Sequence, residues 1–220
     1  MDPFLWQLAD SGFPSGGFAH SGGLEAALHH GEPADGRVLW RLVCDVLAQA
    51  GRGSLPLVTA AHAAELDAIA DLDALCDVFL SNPVANRASR AQGQALVTTC
   101  VRSFSDTSLH PLQEAVRRKP MCGHHAPMFG AVARILGVSR SVTQQLFLFV
   151  TCRGLISAAV RLGAVGVYEA QRFQRRAGLE IPRIAQDCDG LTPLDIAQTA
   201  PILDLFQSTH DRLYSRLFQS

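Results

Sequence analysis

Apolar residues recur at helical spacing along most of the chain. Leu39, Leu42, Val43, Val46 and Leu47 share one helix face, and Asp35 stands where an N-cap belongs. Leu72, Leu75, Phe79 and Leu80 repeat the pattern until Asn82-Pro83 breaks it, and a further helix is predicted from about Val84 to Val101. Pro127 suits the first turn of another, which Gly137 closes in the manner of a C-cap. Ser139 then reads as the N-cap of a long helix through Leu162. Val167 to Arg175 is expected to form a separate helix beyond Gly163. The last helix is expected to begin near Pro201 and to carry Ile202, Leu205, Phe206 and Leu213. No alternating run of strand length and no Asn-Gly turn is present. Two segments read as irregular: Ser11 to Gly23, with five glycines and a proline, and Arg117 to His125. Neither is long enough to separate domains. The expected fold is all-α, a single-domain bundle of roughly eight to ten helices over residues 1–220.

Composition narrows the function classes. The 220 residues are 48% hydrophobic, enough for one substantial core, and the net charge of −1 gives no global pull toward nucleic acid or an anionic membrane. Leu146 to Val167 could pass for a membrane span. Arg153 near its middle costs about 3 kcal/mol on insertion scales, so a buried core helix is expected. A buried Arg153 needs a carboxylate or backbone carbonyls. It is read either as a structural salt bridge or as a group facing an interface or an internal polar channel. The six cysteines form no C-x-x-C pair, and no signal-peptide pattern follows Met1. Free thiols in a reducing, cytoplasmic setting are the expectation.

Catalytic motifs fail on inspection. Gly12 and Gly17 have the spacing that opens a P-loop, but Phe18-Ala19 follows where Lys and Ser or Thr are needed, and Lys119 is the one lysine in the chain. Ala19-His20-Ser21-Gly22-Gly23 fits an A-x-S-x-G nucleophile elbow. The elbow requires a strand before the serine, and Gly12 to Gly17 is not one. Ser21 is read instead as the N-cap of a helix running to about His30, with a serine hydrolase through Ser21 as the lesser alternative. Cys122, His124 and His125 form a candidate metal cluster, since sulfur and imidazole suit Ni²⁺ or Zn²⁺. His29-His30 and the pair His62 and Glu65, one helical turn apart, are slighter candidates. Asp187-x-Asp189-Gly190 lacks the rest of a calcium loop. A solvated surface is the favoured reading of each.

Two stretches carry a family resemblance. Leu8-Ala9-Asp10-Ser11 leads into Pro14-Ser15-Gly16-Gly17-Phe18-Ala19-His20-Ser21-Gly22-Gly23-Leu24-Glu25-Ala26, and the chain closes on His210-Asp211-Arg212-Leu213-Tyr214-Ser215-Arg216-Leu217-Phe218. Together they resemble the two end signatures of the urease accessory protein UreF family, with Asp211 where that family more often has Glu. The resemblance implies an all-α, non-enzymatic homodimer. It implies partnership with UreD (also called UreH), the GTPase UreG and apo-urease during GTP-dependent nickel insertion, with nickel as cargo and no cofactor of its own. The partner-binding residues it points to are Gly17, Phe18, His20, Ser21, Glu25, His210, Tyr214, Arg216, Leu217 and Phe218. Residues 1–23 are expected to form an N-terminal helix and glycine-rich loop, and 211–220 a partner-binding tail. Apolar and aromatic residues beside Arg in that tail suit an anchor that orders on a partner; docking on its own core is the plainer reading. A nickel-binding chaperone using Cys122, His124 and His125 is the alternative function.

Overall fold

The computed structural model describes residues 3–104, 107–118 and 121–220, with backbone alone at residues 3 and 4. Lys119 and Pro120, inside the segment read as irregular, lie outside the described residues. The helices are α1 (Pro3–Ala9), α2 (Leu24–His29), α3 (Gly36–Gln49), α4 (Leu55–Ala63), α5 (Leu66–Phe79), α6 (Pro83–Phe104), α7 (His110–Arg117), α8 (His125–Ile135), α9 (Arg140–Arg161), α10 (Val167–Cys188) and α11 (Pro201–Thr209). No strand occurs among the described residues. A π-helical turn, Ala50–Ser54, joins α3 to α4 without a break, leaving ten separate rods.

α8 is the axis of the bundle. Ala126 through Ala133 are all buried, and a helix that is apolar on every side has to be surrounded. It packs chiefly on α4 and α6, with α5 and α9 also against it. The approach to α4 is set by Gly130, where an added Cβ would lie 2.2 Å from the Val58 carbonyl oxygen and 3.1 Å from the Ala61 Cβ. α9 lies across α3, α4 and α10. It is the one described helix long and apolar enough to cross a membrane, yet half of that apolar window is buried inside the protein.

Local signals place several boundaries. The Asp35 carboxylate accepts from the N–H groups of Arg37 and Val38, capping α3 as expected. Gly137, at φ 73°, ends α8 with paired bonds from Gly137 N to Arg134 O and from Val138 N to Ala133 O, the Schellman arrangement. Asn82 accepts from Val84 N to start α6, and its amide donates to the Asp204 carbonyl and carboxylate, tying α11 to the bundle.

Three expectations are corrected. α10 runs to Cys188 and does not stop near Arg175, because Ala177, Ile181, Ala185 and Cys188 continue its buried stripe while Pro182 sits on the exposed side. α2 begins at Leu24 with Gly23 as its cap, so Ser21 is not the N-cap. Gly23 holds φ 92°, and a Cβ there would meet the Leu203 carbonyl at 3.1 Å. α11 ends at Thr209, before Leu213, and Ile202 and Leu205 point outward.

Alanine substitutions separate packing from propensity. Gly130→Ala is expected to cost about 2 kcal/mol or more, since α4 and α8 must part. Gly178→Ala, on the open side of α10 with nothing within 4 Å of the new methyl, should gain about 0.5–1 kcal/mol. Urea midpoints of the two variants check this; similar midpoints would refute the close approach.

Candidate functional site

Glu25 occupies the first turn of α2 and is 3% exposed. A carboxylate so enclosed needs donors. They come from the far end of the chain: Leu217 N donates to Oε1 at 2.6 Å, Phe218 N to Oε2 at 3.1 Å, and His210 Nε2 to Oε2 at 2.9 Å. Because an ionised carboxylate only accepts, the proton of the fully buried His210 ring sits on Nε2. Its Nδ1 is buried without a partner. Burial pushes the Glu25 carboxyl upward, but the Leu217 N–H, the His210 ring and the Phe218 N–H outweigh it and hold the group below its ordinary range.

The tail continues along the glycine-rich loop. Gln219 N donates to the Ala19 carbonyl at 2.8 Å, and Ser21 N and Oγ both donate to the Ser220 carbonyl, at 2.6 and 2.8 Å. The His20 Nδ1 lies 2.7 Å from the Ser220 hydroxyl. Arg161, at the end of α9, stands over Phe18 at 3.6 Å from the ring centroid and over Phe218 at 4.2 Å, and Nη1 donates to the Phe18 carbonyl. Asp211 accepts from Arg87 at 2.7 Å and from Arg216 at 3.2 Å, so the residue that departs from the family pattern still pins the tail to α6.

The predicted residues therefore come together, in two roles. Glu25, Ser21, His210 and Phe218 are buried and hold the tail in place; Phe18, Tyr214, Arg216 and Leu217 face outward around them. Phe18 is 65% and Leu217 56% exposed, and Tyr214 is fully exposed. Gly17 and His20 line the neighbouring cleft. The tail is ordered against its own chain, the plainer of the two readings. Sequence reading does not single out Arg161 or Arg87, since neither stands in a motif and their partners, Phe18 and Asp211, are remote in the chain.

The Ser21 hydroxyl donates to a carbonyl, not to an imidazole, and no strand precedes it among the described residues. The cysteine–histidine cluster assembles differently from its reading. Asp77, Cys122 and His124 place ligand atoms within 4.8 Å of one another, while His125 is elsewhere, packed on Phe129 and Phe147 at 5.7 and 5.5 Å. His124 Nε2 bonds Asp77 at 3.0 Å and Nδ1 lies 3.1 Å from Ser89 Oγ. Arg90 and Asn86 donate to the same Asp77 oxygen and hold that carboxyl far below its usual range. Asp73 accepts from the N–H groups of Cys122, Gly123 and His124 at 2.5, 3.1 and 2.7 Å. These bonds make a clamp fastening the entry to α8 onto α5. His62 and Glu65 do not pair: His62 Nε2 donates to Val138 O at 2.7 Å, and Glu65 caps α5 and bonds Arg134.

Two outcomes follow. Glu25→Gln should cost about 2 kcal/mol, and Glu25→Ala, which strands three buried donors, about 3–5 kcal/mol, read from denaturant curves; a neutral Glu25→Ala would contradict the clamp. Burial, with His210 adding, lowers the His20 pKa, and burial, with His20 adding, lowers that of His125 to about 4. Both rings bind protons less well folded than unfolded, so their stabilisation is complete above pH 6.5 and is lost as the pH falls toward 4. Melting temperature should decline across that window, and less so in His125→Phe; a flat profile would count against it.

Comparison with known proteins places the chain in a family. The UreF family model matches residues 34–178. The chain is 37% identical over 216 residues to urease accessory protein F of Oryza sativa subsp. indica, spanning 97% of this chain and 83% of the relative. It is 36% identical over 218 residues to urease accessory protein F of Arabidopsis thaliana, spanning 98% and 91%. It is 30% identical over 220 residues to urease accessory protein UreF of Arthrobacter sp. (strain FB24), spanning 98% and 96%. The chain belongs to the UreF family of urease accessory proteins.

Proposed function

We propose that this chain is a non-catalytic assembly scaffold in the cytoplasm which, as a homodimer with UreD (UreH) and the GTPase UreG, docks on apo-urease and supports GTP-dependent nickel insertion. One observation carries the reading. The two chain ends that hold the family signature build a single face in which Phe18, Tyr214, Arg216 and Leu217 are exposed over a buried Glu25–His210 anchor. Exposed aromatic, leucine and arginine side chains on a fixed platform are what protein interfaces are made of, because they bury much area at little further entropic cost. Ser21 is committed to the tail, which favours the scaffold over a hydrolase. Both ring nitrogens of His124 are taken up by Asp77 and Ser89, which favours it over a chaperone binding nickel there.

Co-expression with UreD and UreG, followed by pull-down and size exclusion, tests the reading. Tyr214→Asp and Leu217→Asp change exposed side chains and should leave stability within about 0.5 kcal/mol while reducing capture at least tenfold. Removal of residues 211–220 should abolish ternary assembly and keep the helical circular dichroism. Undiminished capture by all three variants would sink the proposal.

A further inference from the structure

Beside the tail anchor, a cleft of about 300 Å³ runs inward from the glycine-rich loop to α6, α8 and α9. Its polar wall is cationic and hydroxylic. Arg153 and Arg161 reach it from α9, His20 from the loop and His125 from α8, with Ser89 and Thr151 among its hydroxyls. No Asp or Glu is among the described residues that line it. Arg153 donates to the Ala9 carbonyl and has no carboxylate bonded to it among the described residues. The nearest acid acting on it is Asp10, exposed, whose Oδ1 takes the Gly12 N–H at 2.8 Å. Arg161 is likewise bonded to a carbonyl, that of Phe18. Two guanidinium groups thus face one cleft with donors to spare and, among the described residues, no carboxylate bonded to either. Phe13, Val46, Phe147 and Leu155 line the same cleft and give it an apolar stretch of wall.

We propose that this cleft is a binding site for a small carboxylate with a short apolar tail. The guanidinium fork matches a carboxylate in the plane, and the neutral rings of His20 and His125 supply N–H groups rather than charge. The apolar wall takes the tail. A phosphate, tetrahedral and more strongly hydrated, would gain nothing from that wall. The cleft has room for an aliphatic acid of a few carbons.

The test titrates the purified chain with sodium acetate, sodium butyrate and sodium phosphate at ionic strength fixed with sodium chloride. Readouts are the melting temperature and the ring C–H signals of His20 and His125 in proton–carbon correlation spectra. Saturable stabilisation by butyrate, stronger than by acetate, with both rings shifting along the same isotherm, is the expected result. Arg153→Gln and Arg161→Gln should each weaken butyrate about tenfold, while Arg140→Gln, on the far end of α9, should not. The absence of a saturable effect, phosphate matching butyrate, or stabilisation that leaves both rings and both arginine variants unchanged would each overturn the assignment.

Discussion

A carboxylate withdrawn from water has to be given donors, and Glu25 receives its donors from residues 185 to 193 positions away. That one requirement organises the functional half of the molecule. It fixes the last four residues, which then pair with Ala19 and Ser21. Those bonds hold the glycine-rich loop in the one course that lets Phe18 and Phe218 flank Arg161. α11 is drawn onto α2 by the same arrangement, and Gly23 is needed where the two touch. A buried, fully bonded carboxylate specifies the arrangement as well as stabilising it, because any other placement of the tail leaves it unpaired.

The rest of the bundle supplies the platform. α8, apolar on every face and narrowed by Gly130, draws α4 and α6 together, and the Asp73 and Asp77 clamp fixes how the chain enters it. α9 crosses this core and delivers Arg153 and Arg161 to the cleft beside the tail. The family model covers residues 34–178, which is this platform, while the face proposed to meet partners lies at the two ends outside that span. A scaffold divided in this way can keep exposed side chains free of packing duty: those of Tyr214 and Leu217 stand out in solvent and take no part in the core.

What the sequence made legible was local. Asp35 capping α3, the Gly137 stop and the Ser139 to Leu162 limits of α9 all depend on neighbours within one turn, and the side-chain types state them directly. α10 was read as ending at Arg175, and only the tertiary stripe of Ala177, Ile181, Ala185 and Cys188 shows why the helix continues. The end motifs pointed to residues that the fold brings together, but not to the bonds from the tail to Glu25 or from Ser21 to Ser220; those contacts span nearly the whole chain. The grouping of the candidate metal ligands changed for the same reason. Adjacency in sequence grouped His125 with Cys122 and His124, whereas folding turns His125 into the cleft and brings Asp77 from α5 in its place.

The most direct test of the central claim is native-state hydrogen exchange on the isolated chain, resolved at the last ten residues. If Glu25 holds the tail, the amides of Leu217 and Phe218, which donate to its carboxylate, and of Gln219, which donates to Ala19, exchange far more slowly than those of the exposed Ser215 and Arg216. Exchange of all of them at the rate of an unstructured peptide would contradict the account.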